Sequence, residues 1–480
     1  MSIIQSVVPS ANEGTKKLLE LYGPKYDLST EQLTTFYDLL DGIEEFAVNQ
    51  IRPNAPDWDR IGAKLVDGKV VLPGNMESML NELIKDNELY TIFIPEKYGG
   101  YGYPGLFQAS FSELLSQFDL SYQILSTISF SVIEAIINYY KEEFQPVLEG
   151  FMRGDHTGFV GFTEPQAGSN LEKIKTTSEL DGNEYVINGT KIFISNGGYA
   201  DTGLVLAKNM VNGKQEGTNV FLVEGLEGIT TLRLEEKSGL HGNPTAQLLL
   251  EDVRVPKENV IAEVGDGYRK VLERLMGMRV GVSMQSIGAS ERALQLAKAY
   301  ANEREQFGKP IISFDGISRK IHEMEKQIPR MKTYAYMGAY ALDRYYRGWI
   351  PTDIGASGDA SEKTAAEMVP SAVRAGLAHY QISAAKIYAP EISNYMVYDA
   401  QQIFGGNGFV AEYEINKIAR DLRVTVVYEG TSEIHEWLVS RAQQAVQMLP
   451  KFQKVSESYE DTTVYERILY EKFPLIKGKI

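Results

Sequence analysis

The chain has 480 residues, 64 acidic against 48 basic side chains, a net charge of -16 and no cysteine. That length holds two or three domains around a large core, and the composition is ordinary for a water-soluble globular protein. The negative balance repels phosphate backbones, so nucleic acid is a poor partner, and the lack of cysteine excludes disulfides, thiolate nucleophiles and cysteine metal sites.

The N-terminal stretch has no long apolar run behind a basic start and no arginine, so no secretory or mitochondrial leader is expected and the cytoplasm is the default compartment. No run of about 18 apolar residues stands out, so no membrane span is expected. After an extension over 1–28, residues 29–155 read as a helical domain. Within 31–51, Leu33, Phe36, Leu39, Leu40, Ile43 and Phe46 recur at three- and four-residue spacing, an amphipathic helix. Pro95, Gly99, Gly100 and Gly102 mark a loop.

From 156 to 262 the pattern is that of strands. Asp181-Gly182 and Asn188-Gly189 each sit between strand-like runs and predict two hairpins, and four further runs before Pro256 complete an antiparallel sheet or barrel. Helical periodicity returns over 263–450. In its first helix Tyr268, Leu272, Leu275, Val282 and Ser286 share a face with Arg279, and an arginine in an apolar stripe needs an anionic partner. Residues 348–362 read as an exposed loop and 451–480 as a charged tail.

Tyr428-Glu429-Gly430-Thr431 places a carboxylate at a glycine turn entering a helix. A carboxylate held in a dry site serves as a base; equally, an acid at a helix start balances the helix dipole. Gly168, Ser169 and their neighbours in 163–170 form a small-residue loop able to approach a phosphate, or an ordinary surface turn. The glycines at 405, 406 and 408 follow a helical stretch, not a strand, so no dinucleotide fingerprint is read there. None of the five histidines has metal-ligand spacing, and no metal is predicted. His241 reads as a polar loop residue.

Taken together, Tyr428-Glu429-Gly430-Thr431, the Gln402-to-Phe409 segment, Arg304-Glu305-Gln306-Phe307-Gly308, Thr163-Glu164-Pro165-Gln166-Ala167-Gly168-Ser169-Asn170 and Phe193-Ile194-Ser195-Asn196-Gly197-Gly198 closely resemble the acyl-CoA dehydrogenase family across roughly residues 40 to 445. The resemblance implies an α+β fold with an N-terminal helical domain, a middle antiparallel β-barrel and a C-terminal four-helix bundle. It implies FAD, held by Val160, Phe162, Thr163, Gly168, Ser169, Phe193, Ser195 and Thr431, with Arg304, Phe307, Gln402, Gly405 and Gly406 reaching the flavin of a neighbouring subunit. Glu429 would be the base that takes the α-proton of an acyl-CoA, with Arg279 tuning it, and electrons would pass to an electron-transfer flavoprotein. A homo-oligomer, tetramer or dimer, is implied. Phe193 and Asn170 depart from the family's usual tryptophan and aspartate. The wording of 236–245 is weakly similar to the methylthiopropanoyl-CoA branch. A flavoprotein oxidase, or a relative that binds flavin without dehydrogenating, are the competing readings.

Overall fold

The computed structural model describes residues 13–345 and 371–447, so the expected loop at 348–362 and the tail at 451–480 lie outside the described residues. Eight helices come first: α1 (Glu13–Tyr22), α2 (Thr30–Phe46), α3 (Arg52–Ile61), α4 (Met76–Lys85), α5 (Gly105–Ser116), α6 (Leu120–Thr127), α7 (Ser129–Asn138) and α8 (Gln145–Arg153). A capping box starts α2, where Ser29 accepts from Gln32 N and Gln32 accepts from the Ser29 N–H. Phe36, Leu40, Ile43 and Phe46 are its buried face, as the periodicity requires. Helix α1, in the N-terminal stretch, is packed into the molecule: Leu19 is buried, and Thr15 Oγ1 donates to Glu113 Oε1 on α5 at 2.6 Å.

Leu120–Asn138, spanning α6 and α7, is long and apolar enough to cross a membrane, a run the sequence reading passed over. It is instead a core segment, 72% buried inside the protein.

A small hairpin, β1 (Lys64–Val66) with β2 (Lys69–Val71), precedes the main sheet. That sheet comprises β3 (Gly158–Gly161), β4 (Thr177–Asp181), β5 (Glu184–Ser195), β6 (Thr202–Val211), β7 (Lys214–Glu224), β8 (Ile229–Leu234), β9 (Thr245–Pro256) and β10 (Val260–Ile261). Its order is β10-β7-β6-β4-β5-β9-β8, with β3 alongside β6. Most neighbours are antiparallel; β3 and β4 both run parallel to β6. Phe159, Ile187, Val205, Phe221, Leu248 and Val253 form a separate sheet core.

Of the two expected hairpins, Asp181-Gly182 is one: β4 and β5 pair with Asp181 opposite Glu184. Asn188-Gly189 is not. β5 runs straight through it, and the register against β9 shifts between Ile187 and Gly189. Asn188 exchanges hydrogen bonds with Asp252, Nδ2 to Oδ1 at 3.0 Å and Asp252 N to Oδ1 at 2.9 Å. A Cβ on Gly189 would sit 2.3 Å from Thr176 Oγ1. The dipeptide therefore encodes a bulge and a close strand approach, the other use of Asn and Gly within a strand.

The remaining helices are α9 (Gly267–Glu303), α10 (Asp315–Tyr345), α11 (Ser371–Phe404), a single turn α12 (Gly406–Phe409), α13 (Glu414–Leu422) and α14 (Ser432–Gln447). Helices α9, α10 and α11 pack against one another, α14 packs on α11, and α5 lies against α9. The helices before and after the sheet thus share one core.

Candidate active site

A cleft opens where α5, α6, α7, α9 and α10 meet the turn before α14 and the end of β5. Glu429, Tyr428 and Ser195 all line it. Glu429 sits in the left-handed region at φ 56 and Gly430 follows at φ 98, so the chain reverses sharply there. Position 430 needs glycine twice over, because a Cβ would also come within 2.9 Å of His435 Nε2.

Three buried side chains converge beneath this turn. Lys386 Nζ on α11 donates to Thr425 O at 2.6 Å and to Gly430 O at 3.2 Å, clasping both ends of the segment that carries the glutamate. Arg279 Nε on α9 donates to Glu429 O at 3.3 Å. His435 Nε2 lies 3.1 Å from the same carbonyl. A carbonyl only accepts, so the ring hydrogen belongs on Nε2. Burial, with Arg279 and Lys386 nearby, lowers the His435 pKa to about 3 and keeps the ring neutral. The arginine expected to need an anionic partner thus meets the base through its backbone oxygen.

Glu429 is half-buried, and its Oε2 is closed off from solvent with no hydrogen-bond partner among the described residues. Burial raises its pKa to about 7, against the lowering pull of Arg279 and Lys386. Lys386 is itself lowered to about 8 by burial. The helix starts at Ser432, beyond Glu429, and the carboxyl points into the cleft region rather than acting as an exposed first-turn acid. Sequence reading missed Lys386 and His435. Their only local signal is a polar residue inside an apolar helical pattern.

The expected flavin residues fall into two groups. Val160 lies in β3, just before Phe162, Thr163 and the Gly168-Ser169 loop, and Ile192 N donates to Thr163 O at 2.9 Å, holding that loop along β5 with Phe193 and Ser195. Glu164 anchors the loop from below through a 2.7 Å pair with buried Lys191. Thr431 adjoins Glu429. The second group gathers where α9 and α11 end. Tyr300 stacks on Phe404 at 4.2 Å and accepts from Asn407 at 3.0 Å, bringing Arg304 and Phe307 to the side of Gln402, Gly405 and Gly406. At 1.5 Å per residue, the stretch of α9 from Arg279, beside the Glu429 turn, to Arg304 is roughly 37 Å.

Both groups set an exposed aromatic ring beside glycines with open space around them. Phe193 is 59% exposed at φ 56 and Phe307 is 93% exposed at φ 52. A side chain on Gly168, Gly405 or Gly406 would meet nothing within 4 Å. Large exposed aromatics beside bare backbone fit a flavin dinucleotide. His241 is elsewhere, bonded to Asp59 O at 3.1 Å and Lys237 O at 2.9 Å, as a polar loop residue.

The acyl-CoA dehydrogenase middle-domain pattern matches residues 160–253 and the C-terminal-domain pattern matches 265–348 and 353–444. A short-chain-specific acyl-CoA dehydrogenase of Clostridium acetobutylicum is 30% identical over 404 residues, 83% of this chain and 95% of its own. The caffeyl-CoA reductase-Etf complex subunit CarC of Acetobacterium woodii is 33% identical over 301 residues, 62% of this chain and 72% of its own. The solved butyryl-CoA dehydrogenase of Megasphaera elsdenii superposes with a TM-score of 0.71 at 29% identity, covering 85% of this chain and 98% of that one. With the helix–sheet–helix order in agreement with these matches, the chain belongs to the acyl-CoA dehydrogenase family of FAD-dependent oxidoreductases.

Proposed function

We propose that the protein removes the α- and β-hydrogens of an acyl-CoA thioester to give the trans-2-enoyl-CoA, with Glu429 as the base. The observation that carries this is the buried, unpartnered Oε2 of Glu429 in a cleft shared with Ser195. A base needs a pKa near working pH, and a carboxyl raised to about 7 is half ionised at neutrality. The α-proton goes to this carboxylate; Lys386, Arg279 and His435 hold its backbone so that the carboxylate keeps one aim. FAD, when bound, supplies the hydride acceptor for the β-hydrogen. Val160, Phe162, Thr163, Gly168, Ser169, Phe193, Ser195 and Thr431 would hold the flavin of their own chain. Arg304, Phe307, Gln402, Gly405 and Gly406 would hold that of a second copy, which makes the working unit a homo-oligomer. An electron-transfer flavoprotein is the proposed acceptor, supported by the Etf complex named for one relative.

The reverse reaction, reduction of an enoyl-CoA, is the second reading. One relative is named a reductase, and a carboxyl of pKa about 7 is as much an acid as a base at neutral pH. Anaerobic mixing of the flavin-loaded protein with saturated acyl-CoA thioesters tests the first reading through loss of oxidised-flavin absorbance. If only the chemically reduced protein reacts, and only with enoyl-CoA, the second reading replaces it. If neither half-reaction occurs with any thioester, both fall.

A further inference from the structure

Beyond its first residue, helix α9 carries three glycines, Gly277, Gly281 and Gly288. Glycine inside a helix costs stability relative to alanine, so each position calls for a spatial reason. At two of them a neighbour supplies it: an added Cβ would lie 3.1 Å from Glu134 Oε2 at Gly277 and 2.1 Å from Glu113 O at Gly288. At Gly281 it would meet nothing within 4 Å among the described residues. Gly281 lines the cleft, so its missing side chain leaves a recess that opens onto the site.

The recess is level with the base. Arg279, two residues before Gly281, donates through Nε to Glu429 O at 3.3 Å, and Gln285, four residues after it, accepts from Tyr428 OH. At 1.5 Å per residue, Gly281 lies about 3 Å along α9 from Arg279 and about 6 Å from Gln285. The portion of an acyl chain beside this recess is therefore the portion nearest the reacting carbons.

The cleft near the base offers apolar contact. Its amides there are engaged with one another: Gln285 Nε2 donates to Gln123 Oε1 at 2.7 Å, and Gln123 Nε2 donates to Thr127 Oγ1 at 2.8 Å. Ser131 and Glu134 continue this polar stripe along α7, and beside it Ile124, Ile128, Phe130 and Met278 line the same cleft. A straight chain passing Gly281 would leave the recess unfilled, whereas an apolar branch or ring would fill it and gain contact area. Resting on the dehydrogenation reading above, we propose that Gly281 determines substrate specificity: its recess receives an apolar substituent, a branch or a ring, carried on C2 to C4 of the acyl chain, and such chains are preferred over straight ones.

The test is anaerobic rapid mixing of the FAD-loaded enzyme with acyl-CoA esters matched in carbon number, reading the rate and half-saturation of flavin bleaching. Pentanoyl-CoA is set against 2-methylbutanoyl- and 3-methylbutanoyl-CoA, and nonanoyl-CoA against 3-phenylpropanoyl-CoA. The best branched or aryl ester should exceed its straight counterpart by about tenfold or more in rate over half-saturation, the scale of discrimination by a methyl-sized space. Gly281→Ala and Gly281→Val should cut that ratio stepwise, by about tenfold at valine. Alanine is favoured over glycine in a helix, so the denaturation midpoint of Gly281→Ala should not fall, and its bound flavin should match the parent. Straight esters equal to or better than the branched and aryl ones, with bleaching intact, would overturn this inference alone. So would a ratio that neither substitution moves, or a loss of flavin in Gly281→Ala, which would give the recess to the cofactor. An absence of bleaching with every ester would overturn the dehydrogenation reading and this inference with it.

Discussion

Two glutamates, Glu164 buried under the 163–170 loop and Glu429 half-buried at the cleft, start from the same chemistry and end in opposite states. Glu164 accepts from Lys191 Nζ at 2.7 Å, Thr176 Oγ1 at 2.5 Å, Lys175 N at 2.5 Å and Gln166 Nε2 at 2.6 Å. Burial would raise its pKa, but these partners outweigh burial and hold it below the usual carboxylate range. At Glu429 the hydrogen bonds of Arg279 and Lys386 go to backbone carbonyls of the turn, desolvation outweighs their charge on the carboxyl, and the pKa rises to about 7. Burial alone therefore does not make a base. What does is burial in which the polar partners are spent on positioning, leaving an oxygen for substrate.

The comparison is broken most severely by removing the cleft carboxylate. Glu429→Gln should lower the rate of flavin reduction by acyl-CoA by about 10²–10⁴-fold or more while flavin content stays unchanged, read by stopped-flow absorbance and the bound-flavin ratio. Full activity in this variant would remove Glu429 from the base role.

Next is the saturated glutamate. Glu164→Ala leaves Lys191 buried without its counter-charge and should destabilise by about 3–5 kcal/mol, seen in chemical denaturation. The paired change Glu164→Gln with Lys191→Met should recover much of that loss. If Glu164→Ala costs nothing, the view of Glu164 as a structural anchor is wrong.

Gly430→Ala tests the turn between these extremes. It forces a side chain into φ 98 and against His435, for about 1–3 kcal/mol of stability and a misdirected base. Denaturation midpoint and flavin-reduction rate should fall together.

The finest test is pH. Only the ionised Glu429 takes a proton, so flavin reduction should rise with pH through a midpoint near 7. Lys386→Met removes a positive charge that lowers the Glu429 pKa, so the midpoint should move upward, with the plateau rate changing less than the midpoint. An unmoved midpoint would confine Lys386 to holding the backbone.

Much of this was written locally. Helix α2 was legible in its apolar spacing, and the strand zone in Asp181-Gly182. Asn188-Gly189 misled because the same dipeptide serves a hairpin turn or a bulge, and only the 12-residue strand pairing with β9 decides between them. The apolar run through α6 and α7 was passed over because the polar stripe at 123, 127, 131 and 134 interrupts it without weakening its mean.

The sequence by itself determined the order of helical, strand and helical segments, the glutamate at a glycine turn and the bare glycines and aromatics that fit a flavin. Periodicity and turn chemistry act over a few residues, so they can be read along the chain. The tertiary structure alone decided that Glu429 is desolvated, that Arg279 from 150 positions away and Lys386 from 44 positions before Gly430 converge on its turn, and that four polar residues of α6 and α7 face the cleft. Desolvation and charge proximity depend on which distant segments fold against each other, and no local pattern specifies that.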